Sequence, residues 1–522
     1  MPPVRAVAAF LAWASWGALW AGVAGYLIVE VFAGFMPYLA AQPGFSLGLW
    51  RWLAFANWAM VTAVAWYNYE RTRQLLLHGR RQGLAAATIL AGLFTIVLVL
   101  NALGRRARPR PELWAAVPAA AVVSVFWVIW ATAPRPAIPA PIEPPPALAP
   151  QRALVLVSLE GADLPWLLPA MDRGDMPFLR ARRDEGAWGQ VRSIRPHIQT
   201  GALATLSTGC SPSVHGVVGR RTYRLPWLSR QPVALLMSGP WPNRHHLPWR
   251  AWQRAGVPAL RRAPLWEIAE LAGMSAGVAG WPGQLAATWH ITPPLAADAV
   301  PFETLDAEFQ AALEPAMRHH PDLADLTRAG FALTAHLGAQ TVIQQQHHPA
   351  DALVVNFDLP ARVRPYWTTA EPDTHGQEVL RQAARLLDDQ IRNVWSTMAG
   401  RDVLLAVVSP YGMAPPSPWR RLKGMVGTPD PWQVSPADSP DGFLILVGSH
   451  VKPGVRLRAG RLADVTATLL YLMELPMARD MAGRVQLDAV EEEWAASTPL
   501  RLVISYPVRA PRSPGARREH SH

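Results

Sequence analysis

Residues 153–163 read ALVLVSLEGAD. The run ALVLVSL is short, continuous and apolar, which suits a strand buried on both faces of a sheet. The turn EGAD closes it. Further runs of the same kind follow: SAGVAGW at 275–281, ADALVVNF at 350–357, DVLLAVVS at 402–409 and GFLILVG at 442–448. Helical patterns separate them: PLWEIAELAG, then HGQEVLRQAARLLDDQIRNVWSTMAG, then LADVTATLLYLMEL. Strands alternating with helices define an α/β class, a mostly parallel sheet sandwiched by helices. Chemistry in such sheets sits beyond the carboxyl ends of the strands. That rule draws attention to Glu160, Asp358, Pro410 and Tyr411.

The chain has 522 residues, half of them hydrophobic and 17% charged, with a net charge of +11. These values exclude a disordered chain and a disulfide scaffold. Cys210 stands alone, which excludes an internal disulfide and any cysteine-based metal cluster. Only Lys423 and Lys452 are lysines among 49 basic residues. The arginines are scattered beside apolar segments rather than gathered in a stripe, so no nucleic-acid partner is expected.

Residues 1–133 differ from the rest. Apolar stretches cover roughly 6–35, 53–67, 84–103 and 113–133. About 20 apolar residues cross a bilayer core. The third stretch, LAAATILAGLFTIVLVLNAL, carries no charge. The expectation is an all-α transmembrane region of three to four helices, hence a multi-pass protein of the cell membrane. Arg71, Arg73, Arg80 and Arg81 precede the third stretch; Arg105, Arg106, Arg108 and Arg110 follow it. Both loops cannot lie inside if all four segments cross. The soluble domain is expected on the extracytoplasmic side. Residues 134–152 are proline-dense and read as a semi-rigid linker. The stretch 219–262 reads as an irregular insertion. Residues 508–522 read as a basic, disordered tail.

Further motifs add a family resemblance. LVLVSLEGAD, MPFLRARRDEGAW (176–188) and RPHIQTGALATLSTGCSPSVHGVVG (195–219) resemble the opening of the alkaline phosphatase superfamily. The closest branch is the type I phosphodiesterase/nucleotide pyrophosphatase group. The likeness continues through PLWEIAELAGMSAGVAGWPG, FDLPARVRPYW, VVSPYGM, SPDGFLILVGSHVKPG and LADVTATLLYLMELP. It covers residues 153–507 with gaps, and TGCSPSVHG at 208–216 is its most specific piece.

The resemblance implies two divalent metals, commonly zinc, about 4 Å apart around a phosphoryl or sulfuryl group. It implies an activated Ser or Thr nucleophile, with three Asp and three His as ligands. Carried over residue by residue, most of that set is missing. Glu160 stands for the first Asp. Gln199 occupies the nucleophile position, and a carboxamide cannot act as an alkoxide. Thr200 is one residue away. Asp358 is retained. Arg362 and Arg364 stand near the place of the following His. Pro410 and Tyr411 replace an Asp-His pair, and Asp438 stands for the last His. His215 matches a structural position of the family.

Each residue carries a second reading. Glu160 could be a polar strand end, and Asp358 an ion-pair partner of Arg362 or Arg364. Thr200 could cap the helix that follows it. Arg362, Arg364, Arg420 and Arg421 could bind an anion or be solvated. The pairs His245–His246, His319–His320 and His347–His348, and His375, could hold a relocated metal or face solvent. The pattern is read as a membrane-anchored, catalytically impaired phosphodiesterase-like protein used for binding or assembly, with no cofactor. Its partners would be an anionic lipid headgroup, a glycan or a protein. The alternative is an active hydrolase or headgroup transferase of phosphoric or sulfuric esters, using Thr200 and zinc or other divalent metals on Glu160, Asp358 and Asp438.

Overall fold

The structure, a computed structural model, describes residues 66, 152–195, 198–217, 222–224, 233–234, 253–256, 260–282, 287–292, 300–367, 374–412 and 440–508. Apart from residue 66, the apolar stretches of 1–133 lie outside the described residues. So do the linker up to residue 151, the tail from 509 and Asp438. Among the described residues no helix is long and apolar enough to cross a membrane.

Contacts divide the chain into two compact units. One comprises Ala137–Arg220, Val257–Ser417 and Pro431–His522. Its elements begin with β1 (Ala153–Leu159), α1 (Leu164–Asp172), α2 (Pro177–Glu185), β2 (Ala187–Arg192), α3 (Gln199–Thr208) and α4 (Pro212–His215). The other unit comprises Met1–Pro136, Arg221–Gly256 and Pro418–Asp430. Its described strands β3 (Thr222–Arg224), β4 (Val233–Ala234) and β5 (Gln253–Gly256) form an antiparallel sheet in the order β4-β3-β5. The stretch expected to be irregular therefore contains regular strands. Its many Arg, Trp and Pro residues hid the short pairing runs.

The first unit continues with α5 (Leu265–Leu271), β6 (Ala276–Ala279), β7 (Trp289–Ile291), α6 (Ala307–His319), α7 (Pro321–His347) and β8 (Ala352–Phe357). Then come α8 (Leu359–Trp367), α9 (Thr374–Ser396), β9 (Val403–Ser409), β10 (Gly442–Val447), β11 (Val455–Arg461) and α10 (Leu462–Leu472). β12 (Met477–Ala478), α11 (Glu492–Ser497) and β13 (Leu502–Val503) close it.

The eight-stranded sheet runs β11-β2-β10-β9-β1-β8-β6-β7. Only β10 is reversed, antiparallel to both β9 and β2; the other pairings are parallel. β1, β8, β9 and β10 are buried along their whole length. That is the continuous apolar pattern of a sheet covered on both faces. Alternate residues feed two cores. Leu154 and Leu156 pack with Leu203 and Leu206 of α3, Trp266 of α5 and Leu469 of α10. Val155 and Val157 pack with Leu167 of α1, Leu179 of α2, Phe331 of α7 and Ile391 of α9. The result is helices, sheet, helices, with β1 at the centre.

Candidate functional site

β1 delivers Glu160 to the carboxyl edge of the sheet. The Glu160 N–H extends the ladder, donating to Phe357 O at 2.9 Å. Asp163 then starts α1 by accepting from the Trp166 N–H at 3.1 Å. Glu160 is only 2% exposed. A carboxylate so deeply buried must be hydrogen-bonded to persist.

Three donors meet it. Oε1 accepts from Asn356 Nδ2 at 2.7 Å. Oε2 accepts from Gln199 Nε2 at 2.5 Å and from the Tyr411 hydroxyl at 2.8 Å. Each donor comes from a different element: Asn356 from β8, Gln199 from the first turn of α3, Tyr411 from the segment after β9. Asn356 pairs in register with Ser158, so it lies on the face that Glu160 shares two residues on. Asn356 Nδ2 also donates to Gly280 O at 3.1 Å. Gly280 has φ +73°, and a Cβ there would lie 2.2 Å from Asn356 O, so the approach demands glycine. Tyr411 is held in turn: Ser409 Oγ donates to its carbonyl at 2.7 Å, and the next residue, Gly412, donates to Pro440 O.

Asp358 follows β8 and faces a guanidinium. Arg362, one turn along α8, donates from Nε to Oδ1 at 2.8 Å and from Nη2 to Oδ2 at 2.7 Å. This fork is the strongest geometry available to the pair. Gly330 of α7 makes room for it, since a Cβ there would come 3.1 Å from Arg362 Cδ. Burial works against the Arg362 charge. Asp358, by hydrogen bonds and charge, and Glu160, by charge, outweigh it and raise its pKa. Burial pushes the Glu160 carboxyl up, and the Asp358 charge adds to this; the three donors pull the other way and lose.

The residue that enters the cleft at the start of α3 is Gln199. Ile198 precedes the helix as its N-cap, with no side-chain cap bond, so Thr200 is not the cap. The helix begins two residues earlier than a cap at Thr200 requires. The Thr200 hydroxyl is buried and finds no partner among the described residues. Since a buried partnerless hydroxyl contributes nothing, Thr200→Val is expected to change stability by no more than ~0.5 kcal/mol, or to raise it slightly, in a denaturant titration.

His215 is fully buried. Its Nδ1 accepts from the Val217 N–H at 3.1 Å, which leaves Nε2–H to donate to Thr205 Oγ1 at 3.0 Å. Burial lowers its pKa from 6.5 to about 3. The unfolded chain therefore takes up a proton below 6.5 that the folded chain refuses. Stability should fall as pH drops through 6.5 towards 3. His215→Gln should remove that part of the slope while costing ~1–3 kcal/mol at neutral pH. Thermal midpoints across pH check both statements.

Among the described residues the other histidines do not converge on the site carboxylates. His319 lies 4.8 Å between ring centroids from both His320 and His375, and His320 lies 5.3 Å from Tyr366. The His348 carbonyl accepts from Trp289 Nε1. His245 and His246, Arg420 and Arg421, and the Arg364 side chain lie outside the described residues. Arg362, a candidate anion binder, is instead bonded to Asp358.

The fit to a metal pair can be judged from the donors. Both oxygens of Glu160 and both of Asp358 already accept from N–H or O–H donors, and among the described residues no imidazole joins them. Among the described residues no group of three His, Cys, Asp or Glu could hold a metal ion. These residues do not fit two zinc ions. Asn356 was not singled out from sequence, and Tyr411, noted for its place after β9, was given no bonding role. The available signal for Asn356 was a lone amide in an apolar strand, two residues before Asp358 and hence on its face.

Fold and site together define an alkaline-phosphatase-like α/β protein. The type I phosphodiesterase/nucleotide pyrophosphatase family matches residues 154–438, more than half of the chain. The chain belongs to that family, whose members are phosphodiesterase and pyrophosphatase hydrolases. Among solved structures it is similar to the murine ectonucleotide pyrophosphatase/phosphodiesterase 5, at 14% identity, covering 66% of this chain and 100% of that one with a TM-score of 0.39. It is also similar to a sulfatase from Bacteroides thetaiotaomicron, described as putative, at 12% identity, 64% and 73% coverage and a TM-score of 0.39. A 2,3-bisphosphoglycerate-independent phosphoglycerate mutase of Cereibacter sphaeroides is 54% identical over 46 residues. That match spans 9% of each chain.

Proposed function

We propose that this chain is a degenerate member of its family, in which a hydrogen-bonded network replaces the catalytic metals and the domain serves binding or assembly. The observation that carries the reading is the occupation of Glu160 by Gln199, Asn356 and Tyr411, beside the Asp358–Arg362 fork. A dication needs free carboxylate lone pairs and imidazole nitrogens. Here two carboxylates are balanced by one guanidinium and three neutral donors. A covalent step also needs an activated hydroxyl. Gln199 holds the nucleophile's place, and Thr200 has no base beside it among its described contacts. With Arg362 bonded to Asp358, the described site favours a protein partner over a phosphoryl or sulfuryl group. The apolar segments of 1–133 support tethering to a membrane, with this domain on the extracytoplasmic side.

The test is hydrolysis of a chromogenic phosphodiester by the full chain with added zinc. No turnover above background is expected, and Thr200→Val should leave the trace unchanged. Turnover that Thr200→Val abolishes would establish an active hydrolase instead.

A further inference from the structure

We infer that this domain binds a second copy of itself head to tail, a basic face at the β2–β11 corner of one copy meeting an acidic face on α6 and α7 of the next. The contact rests on surface charge, apart from the chemistry around Glu160. The two faces lie at opposite ends of the sheet. β11 is one edge strand and β7 the other, roughly 30 Å apart at the usual strand spacing. α2 packs beside β2 and β10, and α7 beside β6 and β7.

The basic face follows from the alternation in β2. Ala187, Gly189 and Val191 are buried, while Gln190 and Arg192 are exposed on the other side with half-buried Trp188. β11 continues that outward face. Arg456 stands opposite Trp188 in register and lies over its ring at 5.3 Å. Arg183 of α2 lies over the same ring at 5.8 Å. Arg180 is exposed one turn before it. The carboxylates nearby are already engaged: Asp172 and Asp184 by Arg183, Glu185 by Arg182, Asp441 by Arg195. Among the described residues Arg180, Arg192 and Arg456 have no carboxylate partner. Arg458, two residues beyond Arg456, has a side chain 95% exposed and only Asp488 near it, at 4.0 Å.

The opposite end carries the complement. Glu303 lies in the short turn Phe302–Thr304 and Asp306 just before α6; Glu308 and Glu314 lie on α6. Asp322 and Asp325 share one face at the start of α7. All six are exposed, Asp325 by 98% of its side chain. Arg318 and Arg328 are the arginines of this helix pair, and of the six acids only Asp325 is ion-paired among the described residues, to Arg328 at 3.3 Å.

This distribution selects the occupant. Either face meeting its own copy would bring like charges together, so a two-fold contact through one face is disfavoured. Basic face against acidic face is attractive, and at low salt the attraction acts before contact. One such contact leaves a basic face free on one copy and an acidic face free on the other. The contact therefore repeats into an open row rather than closing as a dimer.

The test is sedimentation of the full chain, held in a non-ionic detergent so that apolar contacts do not drive association. At about 50 mM salt the weight-average mass should at least double between roughly 1 and 100 μM protein, and about 0.5 M salt should return it to the monomer. One variant carries Arg180→Gln, Arg192→Gln and Arg456→Gln; another carries Asp306→Asn, Asp322→Asn and Asp325→Asn. Each alone should stay monomeric. All six positions are exposed, so thermal midpoints should stay close to wild type and show that both variants fold. Mixed, the two variants should form a heterodimer and nothing larger, because only one intact face of each kind remains between them. A wild type that stays monomeric at low salt would overturn the proposal. So would variants that associate as strongly as wild type, or a wild-type mass that stops at two copies, the mark of a two-fold contact.

Discussion

Glu160→Ala is expected to lower the stability of the domain by about 3–5 kcal/mol, measured by denaturant unfolding of the full chain. The loss comes from what is left behind. Asn356, Gln199 and Tyr411 all donate to the one carboxylate, and Asn356 and Tyr411 are buried, 4% and 2% exposed, away from water. Each bond to a charged group contributes about 1.5–3 kcal/mol, and a buried donor left unsatisfied costs about 1–3 kcal/mol. Relief of the repulsion with Asp358 and of the carboxylate's own burial offsets part of the sum. Glu160→Gln should cost far less, about 1 kcal/mol. One amide oxygen can still accept from Gln199 and Tyr411, and Asn356 can rotate to offer its Oδ1, which has no partner among the described residues.

The same pair of proteins gives a pH signature. The folded Glu160 pKa lies above its ordinary value of 4.5, by burial and then by the Asp358 charge. From 4.5 up to the folded value, the native state holds a proton that the unfolded state has released. Wild type should therefore lose stability relative to Glu160→Gln as pH rises through that window, and regain it on acidification towards 4.5. A constant difference between the two across pH would show that Glu160 does not titrate in this way.

Arg362→Ala is the second large effect, expected at about 2–4 kcal/mol. It removes the cation that Asp358 bonds and whose charge Glu160 also feels. The upper figure for breaking a buried pair is reduced here, because the Asp358 side chain is 33% exposed and Arg362 15%. Arg362→Lys should recover the charge but not the fork, and so only part of the loss. In a double-mutant cycle with Asp358→Asn, a coupling of about 1–3 kcal/mol is expected. Acid should partly rescue Arg362→Ala, since protonating either carboxyl removes the repulsion. A coupling near zero would mean that the fork contributes nothing.

How far the sequence announces this arrangement depends on the element. β1, β6, β8, β9 and β10 were legible because strands covered on both faces must be apolar throughout. β2 and β11, towards one side of the sheet, alternate instead. AWGQVR and VRLRAGR put arginine outward, which reads equally as surface loop. The reversal of β10 is also invisible, because an antiparallel neighbour needs no different side chains when both faces are covered. α6 and α7 escaped because their apolar residues are mixed with His, Gln and Asp; Ala316, Phe331 and Leu337 pack on the core without a clean stripe.

At the site, Glu160 and Asp358 followed from position alone: the first residues past two central strands. Their contacts did not, although Tyr411 and Gln199 were themselves noted by position. Tyr411 and Gln199 are brought to Glu160 by segments some 250 and 39 residues away, and only the folded backbone sets those approaches. Arg362 could be placed near Asp358 by its four-residue spacing on one helix. The sequence left open whether Gln199 or Thr200 enters the cleft. The start of α3 decides it, since Ile198 is the last non-helical residue and Gln199 turns towards Glu160.

The central claim is that amides, a phenol and a guanidinium stand where the family's metals would bind. Its most direct test is elemental analysis of the full chain after exposure to zinc and removal of free metal, beside Glu160→Ala and Asp358→Ala. The account predicts no stoichiometric zinc in wild type and no difference among the three proteins. One or two tightly held ions in wild type, lost in both variants, would contradict it.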